Sequence, residues 1–283
     1  AVACFERALQ MRPDFSEASF NLGSTLLELN RPEPALAHFT RCLNDTPDRF
    51  EAHLQSGIAH LQLNQTQAAL ASFERTLQIV PDDAECLYYR GNALLELNRP
   101  EDAAVSYRKA LQLRSDIPEL HYNLANALLD LQRPAEALPA LQQALALRPD
   151  YAAARYNLGG ALQDLGRHEE VATVFESLSP DYRYTLGKLF HSRQFCCDWN
   201  RHAETREAIV QALHAGQSHD MPFPFLAVSD DPTLQLRCAR AYTTAKHPAA
   251  VVPLWAGERY RHERIRIAYV SADLRDQAVS NLI

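Results

Sequence analysis

The stretch "SEASFNLGSTLLELNRPEPALAHFTRCLNDTPDR", Ser16 to Arg49, is the unit from which most of this chain is built. Its landmarks return on a 34-residue grid. Proline marks the grid at Pro13, Pro47, Pro81 and Pro149, with Ser115 in the one slot that lacks it. Gly23, Gly57, Gly91, Ala125 and Gly159 keep the same step, as do Phe39, Phe73, Tyr107, Leu141 and Phe175. Ala35, Ala69, Ala103, Ala137 and Val171 form a third series. A period of this length marks an array of supersecondary units, each too small to bury its own apolar face.

Within a unit the apolar spacing is helical, and the turns "NRPE" at Asn30, "NQTQ" at Asn64, "NRPE" at Asn98, "QRPA" at Gln132 and "GRHE" at Gly166 divide it into two helices. Proline after the turn opens the second helix, where its missing N–H costs nothing. Glycine or alanine at the eighth position and alanine at the twentieth let two antiparallel helices approach closely, and the aromatic at the twenty-fourth is expected to fill the space between neighbouring units. This is similar to the tetratricopeptide pattern, which implies a right-handed superhelix with a concave inner face. Five repeats are placed at 16–49, 50–83, 84–117, 118–151 and 152–185, the last degenerating after Phe175. Residues 1–15, "AVACFERALQMRPD" and Phe15, read as the second helix of a repeat whose first helix is missing. The chain is therefore expected to be a fragment at both ends.

The totals narrow the partners. Across 283 residues the formal net charge is -7, which argues against nucleic acid and anionic membrane surfaces, since both require a cationic footprint. No run reaches the ~18 apolar residues of a membrane span. The six cysteines lack CxxC or framework spacing and fit free thiols in the cytoplasm. Cys196 and Cys197 with His191 and His202 are the one grouping that hints at a metal, but adjacent cysteines serve a tetrahedral ion poorly, and no metal is expected.

In a superhelix of this kind the first helices line the groove. Their sixth position holds Asn21, Gln55, Tyr89, Asn123 and Asn157, and the ninth adds Asn92 and Asn126. A carboxamide offers donors and an acceptor together. Asn21, Asn92, Asn123, Asn126 and Asn157 are thus candidates to pair with the backbone of an extended peptide; the competing reading is bonding to water or to the neighbouring repeat. The second position carries Glu17, Glu51, Glu85 and Glu119, and the thirteenth Glu28, Glu96, Asp130 and Asp164. Facing the groove, they would make it acidic; otherwise they form a solvated face or complement helix dipoles. Phe20, Leu54, Tyr88, Tyr122 and Tyr156 at the fifth position leave no cationic clamp for a carboxylate.

Beyond Tyr182 the period is lost. "RYTLGKLFHSRQFCCDWNRHAETREAIVQALHAG", Arg183 to Gly216, still reads as helix, with Trp199 expected to anchor a packing corner. "HDMPFPFLAVSDDP", His219 to Pro232, reads as loop, and "TLQLRCARAYTTAK", Thr233 to Lys246, as a short amphipathic helix. Residues 186–261 form a helical connector. In "RIRIAYVSADLRDQAVSNLI", Arg264 to Ile283, the run Ile265, Ile267, Tyr269, Val270 predicts a buried strand followed by a loop and helix. The fold class is thus all-α, with a first α/β strand within residues 262–283.

The asparagine-bearing repeats, "LFHSRQFCCDWNRHAE" and "RIRIAYVSADLRDQAVSNLI" together resemble the O-linked N-acetylglucosamine transferases, including bacterial relatives and SPINDLY-type enzymes. The resemblance implies that residues 262–283 begin a two-Rossmann, GT-B-like catalytic lobe. It implies sugar transfer from a UDP-sugar to Ser or Thr of acceptor proteins, with inversion and without a metal or other cofactor. Asn21, Asn123 and Asn157 match the row along which such enzymes thread substrate; Gln55 and Tyr89 interrupt it. Ser271, Ala272, Asp273, Leu274 and Ser280 match the family pattern after the first strand, with Gln277 standing where the family has its functional histidine. Gln277 cannot accept a proton as imidazole does.

Two functional readings follow. One is the repeat and connector part of a protein O-glycosyltransferase, inactive alone, whose groove binds acceptor proteins as extended peptides. The other is a non-enzymatic scaffold for protein–protein interaction. A homodimer through the repeats is a third, subordinate expectation.

Overall fold

A computed structural model describes residues 1–179, 182, 184–217 and 220–246. Within it the chain divides into a unit of Ala1–Ala241 and a second beginning at Tyr242. The expected strand and Gln277 lie outside the described residues.

The first unit is helical throughout. α1 (Val2–Met11) precedes five helix pairs: α2 (Ser16–Glu28) with α3 (Pro32–Asp45), α4 (Phe50–Gln62) with α5 (Thr66–Ile79), α6 (Ala84–Glu96) with α7 (Pro100–Leu113), α8 (Pro118–Asp130) with α9 (Pro134–Leu147), and α10 (Ala152–Asp164) with α11 (His168–Glu176). Each second helix packs on the first helix of the next repeat, and α1 packs on α2 in the same way. First helices also touch along the stack, α2 with α4 and onward to α8 with α10, while no comparable contact joins second helix to second helix. The stack is therefore tighter on the first-helix side, which makes that side concave.

The turn inside each repeat is one motif repeated five times. Asn30, Asn64, Asn98, Gln132 and Gly166 all have positive φ, from 55° to 70°. In the first, Asn30 N–H donates to Leu27 O and Arg31 N–H to Leu26 O, both at 2.9 Å. These bonds satisfy carbonyls that the helix end leaves open, a Schellman closure, and they require a left-handed residue. Asparagine tolerates that backbone and glycine prefers it, which is why the turn is written with Asn or Gly in four of the five repeats.

The close approach of the two helices has a specific cause. Phe39, Phe73, Tyr107 and Phe175 are buried, and each ring lies over the glycine of its own repeat. A Cβ at Gly23, Gly57, Gly91 or Gly159 would sit 2.3–2.6 Å from a ring carbon. The expectation that this aromatic fills the gap between neighbouring repeats is corrected in part: each ring packs on the glycine of its own repeat, and among the described rings Phe73 also stacks on Tyr89 of the next one, at 6.1 Å.

After the repeats, α12 (Thr185–Phe195) packs on α11, and α13 (His202–His214) packs on α12. A 3-10 turn at Pro224–Ala227 and α14 (Pro232–Lys246) complete the connector. Phe190, Ile209, Leu213, Phe225, Val228 and Cys238 form its own small core. The helical stretch after Tyr182 is two helices, broken at Cys197 and Arg201, both at positive φ. Trp199 sits in that break and is 61% exposed. It touches the edge of His202 and does not anchor a corner, because the left-handed residues on either side turn the segment outward.

Candidate functional site

The concave face is built from α2, α4, α6, α8 and α10, and its asparagines meet across repeat boundaries. Asn123 Nδ2 donates to Asn92 Oδ1 at 3.0 Å, and Asn157 Nδ2 donates to Asn126 Oδ1 at 2.7 Å. Asn92 Oδ1 also accepts from the buried hydroxyl of Tyr107 at 2.7 Å. The ninth-position residue of one repeat thus orients the sixth-position residue of the next. Asn157 Nδ2 also reaches the Tyr122 hydroxyl at 3.5 Å, and the Oδ1 of Asn123 and of Asn157 has no partner among the described side chains. All four asparagines are half-buried. The arrangement offers a donor and an acceptor at a fixed orientation, which is what a peptide main chain demands.

Asn21 stands apart. Its carboxamide lies against Glu17 and, second to Arg49, helps hold that carboxyl low, while its main-chain carbonyl accepts from Thr25 Oγ1 at 2.8 Å. Gln55 and Tyr89 supply no cross-repeat amide pair, so the ladder is confined to the last three repeats.

The glutamates of the second position are largely neutralised from within the chain. Arg49 donates to both oxygens of Glu17, at 2.7 and 3.3 Å, and this hydrogen bonding holds Glu17 below the usual carboxylate range. Burial pushes Glu119 upward, but hydrogen bonds led by the one from Arg148 outweigh it and leave this carboxyl low as well. At the thirteenth position, Glu96 accepts from Thr66 Oγ1 at 2.8 Å. Glu85 differs: desolvation first, and the charge of Asp83 second, hold it above the usual range.

Family models described as "Tetratricopeptide repeat" match residues 1–51 and 122–183, and one described as "TPR repeat" matches residues 91–132. The repeats of this chain are tetratricopeptide repeats.

Solved tetratricopeptide structures share the fold. YrrB, a TPR protein with an unusual peptide-binding site, aligns with a TM-score of 0.56 at 20% identity, over 71% of this chain and 97% of its own. A MamA fragment from Desulfovibrio magneticus RS-1 aligns at 0.55 and 22% identity, over 57% of this chain and 91% of its own. Another MamA structure gives 0.55 at 16% identity, over 65% and 94%. No curated protein matches the chain.

Where the tetratricopeptide stack meets the connector, a second cluster gathers that sequence reading missed. A cavity of about 540 Å³ is lined by Lys188, His191, Asp220, Phe195, Phe223 and Leu226, among others. His191 Nε2 and Asp220 Oδ2 are 2.9 Å apart, and Asp220 is 2% exposed. Lys188 Nζ donates to Gln163 Oε1 at 3.0 Å and lies 5.5 Å from the centre of the Tyr156 ring. Burial lowers the Lys188 ammonium, against the opposing charges of Asp164 and Asp220. The 29-residue separation of His191 and Asp220 gave no local signal. Among the described residues no group of three or more His, Cys, Asp and Glu side chains is placed to hold a metal ion. None of the described helices is long and apolar enough to cross a membrane.

Proposed function

We propose that this chain is a tetratricopeptide interaction scaffold that holds extended polypeptide along its concave face. The observation that carries the reading is the cross-repeat pairing of Asn123 with Asn92 and Asn157 with Asn126. A carboxamide held by its neighbour loses little rotational freedom on binding, so each new hydrogen bond to a main chain yields more of its gross energy. Hydrogen bonds to the main chain ignore the identity of the peptide's side chains. The scaffold therefore accepts many sequences in the last three repeats, with selectivity set by what lies beside the ladder.

The test is fluorescence polarisation with labelled extended peptides against the wild type and an Asn123→Ala, Asn157→Ala double variant. The reading expects about tenfold weaker binding in the double variant, roughly two hydrogen bonds lost, with helical circular dichroism unchanged. Equal affinities would refute it.

A second reading rests on sequence alone: the scaffold is the acceptor-binding part of an O-linked N-acetylglucosamine transferase. What favours it is the combination of "CDW" at Cys197 to Trp199 with "RIAYVSADL" at Arg266 to Leu274. On this reading the parent protein uses a UDP-sugar donor, the groove delivers Ser or Thr of an acceptor protein, and Gln277 occupies the place of the family histidine. Incubating the protein isolated from its source with radiolabelled UDP-N-acetylglucosamine and cell extract tests it. Label in protein supports transfer; absence of both label and UDP release leaves the scaffold alone.

A further inference from the structure

Three of the four second-position glutamates meet an arginine of this chain. Glu17 is bonded by Arg49, whose guanidinium also lies 4.0 Å from the centre of the Phe20 ring. Glu51 is within 3.9 Å of the same Arg49. Glu119 is bonded by Arg148, whose guanidinium lies 4.9 Å from the centre of the Tyr151 ring. The molecule thus shows twice which group fits beside this carboxylate: a planar cation, paired on one side and lying over an aromatic face on the other.

Glu85 has the carboxylate and the ring but not the cation. Tyr88 stands three residues on, as Phe20 does from Glu17. The thirty-fourth position of the repeat, which supplies Arg49 in the first repeat, is Ile117 in the third. Arg114 occupies the register of Arg148, yet both its Nε and Nη2 go to the carboxylate of Asp116, at 2.9 and 3.2 Å. Arg148 lies over Tyr151, whereas Arg114 meets Ile117 at that position, which has no aromatic face to offer. No described residue hydrogen-bonds or ion-pairs with Glu85, and the charge of Asp83, of like sign, adds to burial in holding its carboxyl above the usual range. Beside Glu85 there is a cavity of about 360 Å³, walled by Glu85, Tyr88, Tyr89, Ile117 and Glu119, with Arg114, already bonded to Asp116, also on its wall. Tyr88 and Tyr89 meet edge to face at 5.2 Å, which fixes both rings.

We propose that this cavity is a pocket for a positively charged side chain, arginine or lysine, of the polypeptide in the groove. The proposal rests on the groove reading above and adds a selectivity to it. An arginine side chain entering here replaces the missing internal one: its stem covers Ile117, its guanidinium lies on Tyr88, and its N–H groups bond the Glu85 carboxylate. Arg114 does not oppose entry, since Asp116 already neutralises it. A glutamate in the peptide at this place would meet the uncompensated Glu85 carboxylate and be rejected.

The experiment uses the full chain and short fluorescein-labelled peptides of serine, threonine and valine with one central arginine, citrulline or glutamate. Citrulline keeps the shape of arginine and removes its charge. The wild type is expected to bind the arginine peptide about threefold to tenfold more tightly than the citrulline peptide, and the glutamate peptide most weakly. In Glu85→Gln the arginine preference should vanish while the citrulline affinity stays unchanged, with the same helical circular dichroism. Binding of all peptides without charge preference, or a preference that persists in Glu85→Gln, overturns the pocket and leaves the groove standing. Failure of every peptide to bind the wild type removes the groove reading and the pocket with it.

Discussion

The Nδ2 of Asn123 lies 3.0 Å from the Oδ1 of Asn92, two carboxamides from different repeats joined on the concave face. The relationship repeats between Asn157 and Asn126 with the same separation along the chain. Asn92 is the busier member, for its Oδ1 also accepts the hydroxyl of Tyr107, a fully buried side chain. The groove is thereby linked to the core. A residue that positions a surface carboxamide also satisfies a hydroxyl that has no access to water.

Asn92→Ala should therefore cost more stability than a half-exposed asparagine normally would. It strips the Tyr107 hydroxyl of its acceptor, a loss of about 1–3 kcal/mol. Asn92→Ala combined with Tyr107→Phe should recover part of that loss, because the unsatisfied hydroxyl is gone. Urea denaturation of the wild type, the two single variants and the double variant gives the coupling directly; strict additivity would show that the bond contributes nothing.

The glycines divide into two kinds with opposite expectations. Gly57→Ala places a Cβ 2.3 Å from Phe73, in a ring that is fully buried, and should destabilise by about 1–3 kcal/mol through forced repacking. Gly160→Ala, in the interior of α10 with nothing within 4 Å of the added atom, should stabilise by about 0.5–1 kcal/mol through the unfolded chain. Thermal melts of the pair check both signs.

Gln132 holds the left-handed position that asparagine or glycine fills in the other repeats, at φ 58°. Gln132→Gly removes the strain of a Cβ there, so a gain of about 1 kcal/mol is expected, up to the limit set by the added freedom of the unfolded chain. The same substitution at Asn98 should gain less, because asparagine already tolerates this backbone. Equal melting shifts at both sites would contradict the strain account.

Alkaline pH should weaken the fold. Burial, reinforced by the charge of Asp83, pushes the Cys86 thiol up to about 12. An unfolded thiol titrates near ~8.5, so between the two values the folded chain retains a proton the unfolded chain has lost, and stability falls as pH rises. Burial raises the Tyr107 hydroxyl and acts in the same direction. Lys188 acts oppositely: its ammonium is lowered by burial, so its contribution improves as pH climbs toward the ordinary lysine value near ~10.4. Denaturation between pH 8 and pH 10.5 should show a shallower decline in Cys86→Ala and a steeper one in Lys188→Met. Parallel slopes in all three proteins would exclude both groups as the source.

Much of the candidate site was legible before any coordinates. The sixth- and ninth-position asparagines stand out because both fall on the 34-residue grid, and helical spacing puts them on one face. Bonding to the neighbouring repeat, the competing reading of these asparagines, is what the pairs show; which residue meets which was not legible, since it depends on how far one repeat is rotated against the next. The cluster of Lys188, His191 and Asp220 gave no signal for a related reason: a loop and two helices separate its members in sequence, and only the packing of the connector brings them together.

The sequence by itself determined the period, the two helices of each repeat and the turn between them. Those features are local, or they link positions a fixed distance apart within one repeat, and the chain's own stereochemistry enforces them. The tertiary structure alone decided which long side chains meet. Arg49 and Arg148 reach second-position glutamates from different places in their repeats, while Arg114, in the register of Arg148, turns to Asp116. An arginine side chain has many rotamers and several carboxylates within reach. Which one it takes depends on which carboxylates and rings the stacking of the helices brings beside it.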